Sequence, residues 1–378
     1  MTTTQSPIRT ARTPKLSQSQ LGVAWQQFKR NRLAQFGGGV LILLYVIALF
    51  AGFIAPVGLS NYSTTNITAY HPPTPIHFRD PKTGAWVHPY VNNYKQQLNL
   101  TTFKNEYKPT DERCNVQLFV RGDAYRILGL IPSTVHLFGT GNPDCQTYLW
   151  GADSFGRDLF ARSVYASQIS LTIGVAAVIV TYVIGLIMGA LAAYFGGWVD
   201  IIIMRVVEIL SAIPNLFLLI LLRAMFPISI NPILALYIII TLLAVVGWGG
   251  LARVVRGQLL STRESDFVSA ANALGASSWR IMIRHMLPVL TTYFIVDLSI
   301  TIPSYILLES GLSFIGIGAV EPYASWGSMI TDAQEGGLAT LTQRPWTIIP
   351  GFLIVLTVMC WQLLGDGLRD AFDPRRRR

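Results

Sequence analysis

Six apolar runs dictate what this chain can become: residues 35–57, 170–195, 200–222, 232–251, 291–317 and 346–364. Each approaches or exceeds the ~20 residues that a helix needs to cross ~30 Å of hydrocarbon. In lipid the backbone N–H and C=O groups find no water, so a spanning segment must satisfy them internally, and runs of this length do so as α-helices. The expected class is therefore an all-α membrane protein with six transmembrane helices. Composition agrees: 51% of residues are hydrophobic and 13% charged, with a mean hydropathy of +0.44, outside the range of soluble domains. Gly174, Gly185 and Gly189 give the second run a small-residue face for close helix packing, and Pro214 is expected to kink the third.

Charge sets the orientation. The net charge of +9 and pI near 9.6 would suit a nucleic-acid binder, but the basic residues gather at the two ends and beside the loop 253–288, so no nucleic-acid partner is expected. Residues 1–20 carry Arg9, Arg12 and Lys15 in a Thr/Ser/Gln-rich stretch expected to be a disordered basic tail. Residues 21–57 join an amphipathic lead-in, with Trp25, Phe28, Lys29, Arg30 and Arg32, to the first span, which should act as an uncleaved anchor. Those cations place the N-terminus in the cytoplasm. From 253 to 284 five arginines face two acids, which puts this loop in the cytoplasm too, as four crossings from a cytoplasmic start require. The 151–368 core then ends in the basic tail 369–378, also inside.

Between the first two runs lies a polar insertion, residues 58–150, expected outside the cell, since long loops translocate whatever their charge. Its patches 116–120 and 125–131 suggest strands and a small β-rich domain. It holds Cys114 and Cys145, which either form a disulfide or stay apart. Its histidines, His71, His77, His88 and His136, are scattered, expected at the surface or in turns, and no Cys/His cluster has metal-ligand spacing.

Two stretches carry the functional signal. Residues 266–288 are too polar to span and read as two short helices about a glycine turn. Asp266 is placed to cap the first, Ala270, Ala271 and Ala273 favour helix, and Gly275 suits the left-handed residue past its end. Ser277 or Ser278 caps the second, with Trp279, Ile283 and Met286 on an apolar stripe, Arg280 and Arg284 on another face, and Pro288 as its stop. An ordinary amphipathic loop between spans would share these features. The stretch nevertheless resembles the cytoplasmic loop of permease subunits of ATP-binding-cassette (ABC) importers, whose pattern is Glu-Ala-Ala, three residues, Gly, nine residues, Ile, one residue, Leu-Pro. Ala270, Ala271, Gly275, Leu287 and Pro288 match, while Ser269 replaces the Glu and His285 the Ile. The resemblance implies a coupling helix that docks in a groove of an ATPase subunit, with Asp266, Ser269, Ala270, Ala271, Gly275, Ala276, Leu287 and Pro288 as the coupling positions.

Residues 149–171 are similar to the signature of the C-type subunit in the dipeptide and oligopeptide branch of these permeases. Asp153, Gly156, Arg157, Asp158, Arg162, Tyr165, Ser170 and Leu171 match, and Ala152, Ala166 and Gln168 depart from it. Alternating acids and arginines around glycines suggest a tight turn locked by ion pairs. The stretches 308–318 and 365–375 also resemble that branch. Glu309 and Ser310 are candidate pore or gate residues, ahead of Asp297 and Glu208, because ionisable groups inside a membrane are costly.

The resemblance implies half of a translocation path for dipeptides or oligopeptides, with alternating access driven by partner subunits. The implied partners are a second homologous permease, two ATPase subunits, an extracellular substrate-binding protein and the lipid bilayer of a bacterial or archaeal cytoplasmic membrane. No Walker-type glycine loop is present, so ATP and Mg belong to the partners; the chain itself is expected to need no cofactor or metal and to be no enzyme. Oligosaccharides or nickel chelates are alternative cargoes. A proton-coupled carrier relaying through Asp297 and Glu309 is a rival mechanism. An intramembrane hydrolase would need a base, and no histidine lies in any of the six runs.

Overall fold

The computed structural model describes residues 20–59, 68–100, 104–127, 129–142, 145–227, 230–334, 337 and 342–372. The expected N-terminal tail, apart from Gln20, and residues 373–378 of the C-terminal tail lie outside them. The chain begins with α1 (Gln20–Phe28) and α2 (Arg32–Leu49), separated by a turn in which Asn31 Oδ1 accepts from Ala34 N at 3.1 Å. A short α3 (Ala51–Ile54) leads to the insertion.

The insertion is β-rich. Strands β1 (His77–Arg79), β2 (Trp86–Asn99) and β3 (Lys104–Asn115) form an antiparallel sheet, with Tyr90 opposite Asn115 and Lys95 opposite Lys108. Strands β4 (Gln117–Ile127) and β5 (Ile131–Gly139) pair separately as a hairpin. The patch 125–131 is thus the end of β4, a turn with Gly129 at φ +71° and the start of β5, rather than a strand of its own. Cys114 and Cys145 are joined as a disulfide, packed with Val91. Two histidines expected at the surface are buried instead, because carbonyl oxygens satisfy their rings. His136 on β5 places Nδ1 2.6 Å from Ala55 O and Nε2 3.0 Å from Asp123 O, which ties the hairpin to the top of the first span. His71 stacks on Tyr148 at 4.4 Å, and burial pushes its pKa down to about 4, so it is neutral at physiological pH.

The membrane core follows as α4 (Leu159–Phe195), α5 (Gly197–Ala212), α6 (Asn215–Ala224), α7 (Pro232–Arg263), α8 (Asp266–Ala273), α9 (Ser278–Ile281), α10 (Thr291–Phe314), α11 (Trp326–Gln334) and α12 (Ile349–Phe372). Among the described residues five helical paths are long and apolar enough to span, and a sixth exists if α5 and α6 count as one. These two meet at 92°. Pro214, extended at ψ 131°, turns the expected kink into a break. α4 starts well ahead of its apolar run, because Asp158 caps it through Phe160 N at 2.8 Å and acids neutralise Arg162.

α4 is the central helix, packed against α7, α10, α2 and α5. It lies close to α7 at Gly189, where a Cβ would sit 2.6 Å from Ala252 O and 2.7 Å from Val255 Cβ. Only glycine allows α4 and α7 to lie this close. α12 closes the bundle against α2 and α10.

Candidate functional site

α7 has 32 residues, ~48 Å at a helical rise of ~1.5 Å per residue. That exceeds the ~30 Å of hydrocarbon, so an end of α7 stands clear of the membrane and carries the polar loop with it. The loop is rigid by construction. Ser265, not Asp266, is the N-cap of α8, and its Oγ donates back to Thr262 O at 2.6 Å. Asp266 occupies the first turn instead, where the helix dipole favours a carboxylate. At the other end Gly275 N donates to Asn272 O at 2.9 Å and Ala276 N to Ala271 O at 3.1 Å. With Gly275 at φ +75° this is a Schellman motif, closed to residues that carry a Cβ except under strain. Ser277 Oγ then caps α9, accepting from Arg280 N at 3.4 Å.

α8 turns Val268 and Ala271 inward and leaves Phe267, Ser269, Ala270 and Leu274 outward, Leu274 being 88% exposed. Phe267, Ala270 and Leu274 fall at helical spacing on one face, which is an apolar face without a partner among the described residues. Beyond the glycine turn the expected stripe does not form: Trp279 and Ile283 are exposed, while Ile281, Met282 and Met286 are buried. A π turn at Met282–Met286 shifts the phase. Nor does Pro288 stop the helix. It sits in the first turn of a 3₁₀ segment, Leu287–Leu290, where its missing N–H costs nothing, and the path runs on into α10.

The 153–162 signature forms a latch. Asp153 Oδ1 accepts from Phe155 N at 2.9 Å and Arg157 N at 3.0 Å, and Gly156 stands at φ +78°. Arg157 donates through Nε to Asp153 at 2.6 Å, through Nη1 to Glu321 at 2.8 Å and through Nη2 to Asp332 at 2.8 Å. Arg162, buried one turn into α4, reaches the same three acids at 3.2 to 3.6 Å. Burial opposes the Arg157 cation, but Asp153, Glu321 and Asp332 outweigh it and hold its pKa above the ordinary value. Burial pushes Asp332 up to about 6 against the pull of Arg162 and Arg157, so the latch is ionised at neutral pH. Asp158 is not part of it: this carboxyl caps α4, and burial pushes it up to about 7.

Glu309 on α10 is 0% exposed and among the described residues takes part in no ion pair. Ser313 Oγ donates to it at 2.7 Å and Ser310 Oγ at 3.5 Å, and the Ser170 and Ser325 hydroxyls lie close by. It therefore sits where α10 meets α4 and the segment before α11, and both it and Ser310 are buried. Asp297 accepts from Tyr182, from Tyr293 at 3.1 Å and from Thr301 at 3.4 Å, while Glu208 pairs with Arg205 on an exposed face. Glu321 and Asp332 had no assigned role in the sequence. The available signal was charge balance: two buried arginines needed more acid than Asp153. Arg256 likewise pairs with Asp200, fixing α7 to α5. Among the described residues no group of His, Cys, Asp or Glu could hold a metal ion.

Comparison with known proteins bears on the same stretches. Residues 19–73 match the N-terminal transmembrane domain of oligopeptide transport permease C. The dipeptide transport system permease protein DppC of Bacillus subtilis (strain 168) is 33% identical over 97% of this chain and 88% of its own length. DppC of Lactococcus lactis subsp. cremoris (strain MG1363) is 31% identical over 93% of this chain and 90% of its own. The oligopeptide transport system permease protein OppC of Haemophilus influenzae is 40% identical over 61% of this chain and 71% of its own. Since residues 181–378, which include the coupling-type loop and all of α10 and α12, match the binding-protein-dependent transport system inner membrane component, the chain belongs to that family of ABC importer permeases, in its dipeptide and oligopeptide C-type branch.

Proposed function

We propose that this permease forms half of the translocation path of an importer for dipeptides or oligopeptides, and that the loop around α8 transmits the state of an ATPase partner to it. The observation that carries the reading is the outward apolar face of Phe267, Ala270 and Leu274 on a helix fixed at its end by Gly275. A rigid, short helix with an unpartnered apolar face suits insertion into a groove. ATP and Mg would act on two such partner subunits. A second permease would complete the path, and a substrate-binding protein would deliver cargo on the side of the insertion. Both termini would then lie in the cytoplasm, with the membrane the cytoplasmic membrane of a bacterium or archaeon.

Proton relay through Asp297 and Glu309 is not favoured. Twelve residues of helix separate them, ~18 Å at ~1.5 Å per residue, and each is held by hydroxyl groups. The test uses cells lacking the endogenous importer, supplied with the chain and its neighbouring subunits. Ala271 is packed inward, so a charge there would damage the loop itself, and Leu274→Asp is the cleaner probe. Leu274→Asp and Gly275→Pro should leave the protein inserted but abolish uptake of labelled dipeptide and its stimulation of ATP hydrolysis. Full uptake by both variants sinks the coupling assignment. Uptake by wild type that is driven by a pH gradient without ATP sinks the importer mechanism.

A further inference from the structure

The geometry points to a binding site for the phosphate headgroup of an anionic phospholipid at the foot of the first transmembrane helix. There α1, the turn after it and the last turn of α12 enclose an open groove of about 560 Å³, lined by Gln27, Arg30, Asn31, Arg32, Leu33 and Asp370 among others. Arg30 and Arg32 flank Asn31 and are exposed, and among the described residues neither takes part in an ion pair. Asn31 holds the turn in place by spending Oδ1 on the α2 cap, which leaves its amide N–H₂ as a donor. Guanidinium groups present paired donors that match the oxygens of a phosphodiester.

Three further features select a lipid over a soluble anion. Trp25 stacks on Phe28 at 5.8 Å, and Lys29 Nζ lies 5.3 Å from the Trp25 ring centre; an exposed Trp with a cation above it is the side-chain chemistry of a membrane interface. On the membrane side of the groove Leu33 and Phe36 are exposed on α2, giving an apolar wall along which an acyl chain can lie. Among the described residues that line the groove, Arg30 and Arg32 meet one acid, Asp370, and Lys29 adds a third cation beside them. A free phosphate would use the cations alone, whereas a phospholipid uses cations and wall together. The proposal needs only that the chain sits in a bilayer, and it stands or falls apart from the cargo and from the coupling loop.

The test reconstitutes the whole complex into phosphatidylcholine nanodiscs containing spin-labelled phosphatidylglycerol, and reads the motionally restricted lipid by electron paramagnetic resonance. Spin-labelled phosphatidylcholine is the reference. Wild type should select phosphatidylglycerol, and added salt should weaken that selection. Arg30→Gln with Arg32→Gln should reduce it about 30-fold, at about 1 kcal/mol for each cation near an anionic surface, with uptake in pure phosphatidylcholine unchanged. Equal selection by the variant, or salt-insensitive selection by wild type, overturns the site. Displacement of the labelled lipid by millimolar-range inorganic phosphate also overturns it, in favour of a soluble anion.

Discussion

Replacing Arg162 with methionine takes one of two cations away from three carboxylates. Arg162 is 2% exposed, with Nη2 3.4 Å from Asp332 Oδ2 and 3.2 Å from Glu321 Oε1, and Nε 3.6 Å from Asp153 Oδ2. One unit pair at such a distance is worth about 5 kcal/mol at an effective dielectric of about 20, and desolvation of both ions takes back much of that. The Glu321 side chain is 60% exposed, so water screens its share. Arg157 still touches all three acids. What remains is the cost of leaving Asp153 and Asp332 with half their cations, about 3 kcal/mol, the low end for breaking a buried pair. Methionine nearly fills the space, so a cavity contributes little. Thermal unfolding of the purified complex in detergent reads the effect. Arg162→Met should lower the Tm by several degrees, and adding Asp332→Leu should recover most of the loss, because an apolar pair replaces an ionic one at little cost. The double-mutant cycle should give a coupling of about 2 kcal/mol; additivity within about 0.5 kcal/mol would refute the latch.

The same assay checks the other expectations. Asp158 is pushed up from 3.8 to about 7, so the folded chain keeps a proton in that window that the unfolded chain releases. Its contribution is present in acid and lost as pH rises through about 7. Asp332, raised to about 6, adds a slope of the same sign below it. Asp158→Asn keeps the capping oxygen and should flatten only the upper part of the Tm profile; an unchanged profile means the slope lies elsewhere. Gly189→Leu drives a side chain into Ala252 O and should cost at least ~3 kcal/mol, the upper range of overpacking. Gly257→Ala, with open space around it, should cost nothing; equal Tm values for the two would show that α4 and α7 are not so close. Cys114 and Cys145 are 31 residues apart, a loop whose closure is worth about 4 kcal/mol in the chain-entropy picture. Cys114→Ser with Cys145→Ser should therefore expose the insertion to added protease while leaving the core intact, and unchanged resistance would assign the insertion's stability to its sheets.

The helices were legible because a bilayer leaves few alternatives: a long apolar run has one way to satisfy its backbone. The Schellman turn at Gly275 was legible for a related reason, since a left-handed residue after an alanine-rich helix narrows to glycine. The second half of the loop was not. Met282 and Met286 share a face at 3.6 residues per turn, but Ile281 lies about 140° from Met286, and the π turn at Met282–Met286 narrows that angle so that all three are buried. A periodicity argument assumes a uniform helix and fails where the helix changes type. Pro288 misled likewise: its ring forbids a helix interior but not the first turn of a new segment.

The latch marks a different boundary. Asp153 and Arg157 are neighbours in sequence, and their pairing follows from spacing alone. Glu321 and Asp332 lie more than 150 positions away, at sequence separations of 164 and 175 from Arg157, and nothing local distinguishes them from other acids of a polar loop. They become necessary only once α4 and α10 are packed, because packing buries Arg157 and Arg162 and a buried cation without an acid is too costly to persist. The path from Ser278 to Phe314 is helical throughout. One end of it carries the loop with the exposed apolar face and the other carries Glu309, which lies beside Ser170 of α4, itself bonded to Trp326 N at the start of α11. A displacement of α8 that moves α10 as a body must therefore strain either the Glu309 hydroxyl cluster or the ion pairs behind it. In the proposed importer, these contacts are where a push at the loop would be felt on the opposite face of the membrane.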